Sequence, residues 1–250
     1  MPPKDIQTHL MGLIKKSHRL ELEYLNSLSD GARNSIGTFE DWAPKDRISH
    51  NTYWRRRCVE SLSYFSRDQK PPEYPPYEEC NRQNFEETRE QSVHVLLREA
   101  DLVLTAIPMV LERFTEEEFR KFGFSPHLTN NTLLGYTISN CYFHPLYHIS
   151  EAHLRLGNLS QVDAIQDLVM KDISGIDDTP FSLGTVYYDR SCFYAMVGDS
   201  AQALEYLQKS LGLRPDLAAW AREDSDLISL REDARFIELV ANNQDPAAAD

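Results

Sequence analysis

Apolar residues recur at helical spacing along most of this chain. Leu10, Leu13, Ile14, Leu20, Tyr24 and Leu28 draw one apolar stripe, which Ser29-Asp30-Gly31 ends. A second helix is predicted from Trp42-Ala43-Pro44-Lys45-Asp46, because a proline in the first turn forfeits no hydrogen bond. Ile48, Val59 and Leu62 continue it. Residues 68–80, DQKPPEYPPYEEC, hold four prolines and are expected as a loop. From Asn84 to Phe114, the residues Val93, Leu96, Leu97, Ala100, Val103, Leu104 and Ile107 give a third long helix a broad buried face, with Pro108 as a kink position. Thr115 and Glu118 form a capping box for a short helix. Asn131 to Leu156 is the fourth long helical stretch, and Gly157-Asn158 stops it. No run alternates apolar and polar residues for long enough to make a strand. The expected fold is all-α, a four-helix bundle over residues 1–174.

The last third has a different pattern. Tyr187, Ser191, Tyr194, Gly198, Ala203, Leu207, Ser210 and Pro215 fall at the spacings of a tetratricopeptide repeat. Small residues at 191, 203 and 210 let two helices approach closely, and Gly198-Asp199 makes the turn. Residues 175–250 are therefore expected as a tetratricopeptide-like helical extension. One or two such repeats cannot build the concave groove of a long array. The extension is read as a cap on the bundle, a contact within a homodimer, or a docking element for a protein partner.

Charge narrows the list of partners. The formal net charge of −13 repels phosphate backbones and anionic lipid, which argues against nucleic acid and membrane surfaces. Arg55-Arg56-Arg57 is a local exception, read as a solvated or ion-paired cluster because three successive helical residues point around most of the circumference. The four cysteines, Cys58, Cys80, Cys141 and Cys192, contain no C-x-x-C pair, so reduced thiols in a cytoplasmic protein are expected. No segment has the length and apolarity of a membrane span, and the first residues lack the apolar region of a signal peptide.

The candidate chemistry lies in residues 144–148, HPLYH. Histidines four apart on a continuous helix face the same way and can share one divalent metal. His50, on the second predicted helix, is the candidate third ligand to His144 and His148. Glu151 is either an acceptor that orients a ligand or an exposed acid. Pro145 removes the helical bond to the carbonyl of Cys141, so the helix either kinks here or starts at His144. Cys141 is more simply a buried thiol than a nucleophile. No nucleophile elbow, phosphate loop or dinucleotide fingerprint is present.

The stretch TFEDWAPKDRISHNTYWRRRC, with Trp42, Lys45, Asp46, His50 and Trp54, resembles the second-helix signature of the DinB-like (YfiT-type) four-helix-bundle family. NCYFHPLYHISEAHLRLGN resembles its fourth-helix histidine pair, and EECNRQNFEETRE resembles the connection into helix three in ClbS-like members. The resemblance covers roughly residues 4–172. It implies a histidine-held zinc or nickel ion and, in some members, a low-molecular-weight thiol cosubstrate. The expected function is a metal-dependent enzyme acting on a small reactive molecule, a transferase using a thiol or a hydrolase. The alternative is a non-catalytic scaffold that uses its C-terminal hairpin.

Overall fold

The computed structural model describes residues 6–129 and 131–243. They are helical almost throughout, and no strand occurs among them; Ser125 and Leu128 form an isolated bridge. The chain divides into two compact units at Leu156–Gly157.

The first unit contains α1 (Ile6–Asn26), α2 (Asp30–Arg33), α3 (Pro44–Phe65), α4 (Tyr77–Thr88), α5 (Val93–Leu111), α6 (Glu116–Arg120), α7 (Leu133–Ile138) and α8 (His144–Arg155). Helix α3 is its hub and packs against α1, α4, α5 and α8. Its start follows the sequence expectation. Pro44 occupies the first turn, and Asp46 turns back so that its Oδ2 accepts from Ala43 N at 2.8 Å. Gly37 has to be glycine for this to fit: a Cβ there would lie 2.6 Å from Asp46 Oδ2 and against Ala43 N.

The predicted helix from Asn84 to Phe114 is in fact two. Ser92 caps α5 by accepting from Val95 N, and the break before it is filled from another element. The buried Lys45 ammonium donates to Arg89 O at 2.6 Å and Gln91 O at 2.8 Å, closing the end of α4. Apolar periodicity runs through both helices because both bury one face, which hides the break from a pattern reading. The proline-rich loop also ends sooner than residue 80, since Tyr77 begins α4.

The fourth long stretch is continuous but not uniformly α. Ser139–Phe143 forms a π-helical turn between α7 and α8. Pro145 accounts for it. A proline offers no N–H to the carbonyl four residues back, so Cys141 O is left to other donors. Ser17 Oγ, at 3.1 Å, and Arg55 Nε, at 3.4 Å, supply them. His144 keeps helical backbone angles and the chain neither breaks nor starts afresh there.

The second unit contains α9 (Leu159–Ile176), α10 (Pro180–Met196), α11 (Ser200–Leu213), α12 (Leu217–Glu223) and α13 (Ala234–Asn242), with a 3₁₀ turn at Ser225–Leu230. Helix α9 packs on α10, so it belongs here and not with the helices before Gly157. Two fully buried serines bind α10 to α11: Ser191 Oγ donates to Ala203 O and Ser210 Oγ to Gly184 O, both at 2.8 Å. Gly198 makes the intervening turn at φ +83°. Leu204, Leu207, Leu211, Leu227, Leu230 and Phe236 fill the core beneath.

Candidate metal centre

Helix α3 is unusual in what it buries. Lys45, Asp46, Arg47, Ser49, His50, Asn51, Thr52 and Arg55 are all buried. Charged side chains go inside only when they are paired or coordinated. Most of these have a partner within the chain. Arg55, 1% exposed, donates to Glu21 Oε2 at 2.7 Å and to Ser17 Oγ at 3.0 Å. Asn51 Nδ2 donates to Glu21 Oε1 at 2.7 Å, and His18 Nδ1 lies 3.1 Å from Glu21 Oε2. Burial raises the Glu21 carboxyl, but the charges of Arg55 and His18 outweigh it and hold the group below its ordinary value.

Of the two readings of the arginine run, solvated or ion-paired, Arg55 takes the second, and it does so in the interior. Arg56 pairs with Glu99 at the surface and Arg57 lies over the Tyr74 ring, so no phosphate-binding patch forms there. The sequence reading missed Glu21. Its signal was positional: Glu21 follows Ile14 and Ser17 on the buried face of α1, where an acid demands a partner.

His50, His144 and His148 come together. His50 Nε2 lies 3.0 Å from His144 Nε2, which lies 2.9 Å from His148 Nε2. Ligand atoms of all three fall within 4.8 Å of one another, the one such group of three among the described residues. Tetrahedral zinc at about 2.0–2.1 Å from each nitrogen would space them by about 3.3 Å, close to the two short separations that involve His144.

Protonation decides what the group can hold. Burial first, and then the neighbouring histidines, pushes His50 well below the ordinary imidazole value. Burial, His148 and Arg55 do the same for His144. Both rings are neutral at neutral pH, as metal ligands must be. His148 Nδ1 lies 2.6 Å from Glu151 Oε2. Glu151 is held below its ordinary value because the hydrogen bond from His148, with Arg47 and Arg155 nearby, outweighs its burial. An ionised carboxylate only accepts, so in the neutral ring the proton sits on His148 Nδ1 and the Nε2 lone pair faces the other histidines. His144 Nε2 has at most one hydrogen or one lone pair to offer two neighbours. Mutual hydrogen bonding cannot satisfy all three nitrogens, and a cation between them can. The donor set fits a divalent metal.

Aromatic rings wall the site. Trp42 lies 4.5 Å from the His50 ring and 5.6 Å from His148, centroid to centroid. Trp54 lies 6.3 Å from His50; it stacks on Tyr77 at 4.9 Å and donates from Nε1 to Asn81 Oδ1 at 3.0 Å. Cys141, which stands three residues before His144, is fully buried and outside the histidine group. His153 packs edge-on against Tyr24. No family model, curated protein or solved structure matches the chain.

Proposed function

We propose that this protein is a metal-dependent enzyme acting on a small reactive molecule, by transfer of a thiol or by hydrolysis. The observation that carries the reading is the convergence of three imidazole nitrogens from α3 and α8, with Glu151 fixing the orientation of His148. His50, His144 and His148 would hold zinc or nickel. A divalent ion in such a site supplies Lewis acidity and lowers the pKa of a bound thiol or water to near neutrality. The chain's own residues do the rest. Burial keeps the His50 and His144 rings neutral, Glu151 orients His148 through Nδ1, and Trp42 and Trp54 limit water around the ligands. The packing of α3 and α1 on each other and of both on α5 and α8 supports the bundle of the DinB-like resemblance.

The deciding experiment is elemental analysis of untagged protein purified without chelator, beside His148→Ala. About one equivalent of zinc or nickel in the parent and loss in the variant is the expected result. A parent that is metal-free and takes up neither ion overturns the reading. Loaded protein would then be assayed with low-molecular-weight thiols against aryl halides and epoxides, and without thiol for hydrolysis.

A further inference from the structure

A cavity of about 380 Å³ lies between α3, α4 and α5, and none of the three histidines lines it. Its size falls within the ~300–1,000 Å³ of pockets that enclose small molecules, but such pockets are mostly apolar and this one is not. Helix α3 contributes Ser49 and Arg56, α4 contributes Asn84, Glu87 and Thr88, and α5 contributes Glu99. Ser49 and Asn84 are buried and form the floor; Glu87 and Glu99 are exposed and stand at the mouth. The protons of the floor are spent within the chain. Thr88 Oγ1 donates to Asn84 O at 2.7 Å, so Ser49 Oγ, 2.8 Å from Thr88 Oγ1, donates to it. Asn84 Nδ2 in turn donates to Ser49 Oγ at 3.1 Å. A hydroxyl has one proton, so Ser49 and Thr88 have none left for a guest. Arg56 is the one cation in the lining, and its Nη2 donates to Glu99 Oε2 at 2.9 Å. Among the described residues no cation pairs with Glu87, so the lining keeps one negative charge. The cavity thus presents acceptors and a spare carboxylate, with Val95 and Leu96 as an apolar wall on the α5 side. A primary ammonium matches it, carrying three donors and one positive charge on a single atom.

We propose that this cavity binds a small primary amine as its ammonium ion, with Glu87 beside the charge and the carbon stem along Val95 and Leu96. The site is separate from the candidate metal centre and needs no metal. An amine can also ligate zinc, so the test has to tell the two places apart.

The test is titration of the full chain with butylamine, followed by ligand-observed NMR. Butanol has the same stem without the charge, and butyltrimethylammonium has the charge without an N–H. Butylamine should bind about tenfold more tightly than either, because a charge-assisted hydrogen bond needs both. Glu87→Gln should weaken butylamine about tenfold. Glu87 is exposed, so the replacement leaves folding intact. Glu117→Gln, at an exposed acid outside the cavity, should change nothing, which separates the site from the general pull of a net charge of −13. Binding should be the same in chelator-treated protein, in zinc-loaded protein and in His148→Ala. No binding of butylamine, equal binding of butyltrimethylammonium, or the same response to Glu87→Gln and Glu117→Gln overturns the proposal. So does butylamine binding that requires zinc or His148, because the amine is then at the histidines. Should zinc fail to bind while butylamine still responds to Glu87→Gln, the metal reading falls and the amine cavity stands.

Discussion

Glu21 and Glu151 are both acids held below their ordinary carboxyl values, and each sits against a histidine, yet they do different work. Glu151 sets the tautomer of one ligand. Glu151→Gln keeps an acceptor but loses the charge, and zinc affinity should fall about 10–100-fold in competition with a chromophoric chelator. Glu21 neutralises Arg55 in the interior. Glu21→Gln leaves a buried guanidinium unpaired and should cost about 3–5 kcal/mol in urea unfolding. The same contact sets a pH dependence. The folded carboxyl titrates below its ordinary value of 4.5, so its contribution is complete above that pH and drains away as the pH falls through the lower folded value. The acid limb of the stability curve should be shallower in Glu21→Gln than in the parent.

Within the elements, the π turn before α8 does most to aim the site. An extra residue in one helical turn rotates the rest of the helix by about 100° relative to a regular one. Pro145 favours that turn by removing the N–H a regular helix would bond to Cys141 O, and Ser17 and Arg55 occupy the carbonyl instead. Pro145→Ala restores the N–H. It should let the turn relax toward α, swing His144 and His148 away from His50, and lower zinc affinity about tenfold while the helical circular dichroism is retained. Unchanged affinity would show that the contacts of Cys141 O hold the π turn without help from the proline.

For the molecule as a whole, all four cysteines are buried and free, spread over both units. Burial pushes the Cys58 and Cys192 thiols well above their ordinary values, away from the reactive thiolate. Native protein should react with almost no aromatic disulfide reagent, and denatured protein with four equivalents. Early reaction of one or two thiols would reveal local opening of the unit that holds them. Among the described residues no helix is long and apolar enough to cross a membrane.

The sequence by itself determined the helical class, the start of α3 at Pro44, the capping box of α6 and the close approach of α10 to α11 at Ser191 and Ser210. These depend on neighbours along the chain or on small side chains, and local rules reach them. It also named His50, His144 and His148, because i, i+4 spacing puts two ligands on one face and the third stands in a recognisable aromatic setting. Only the tertiary structure decided that their nitrogens meet, that the helix passes through Pro145 as a π turn, and that the run from Asn84 to Phe114 is two helices with Lys45 closing the break. It alone revealed Glu21 beneath Arg55. Each of these depends on a partner distant in sequence, such as Ser17 for Cys141 or Lys45 for Arg89, and periodicity carries no record of which groups meet across the core.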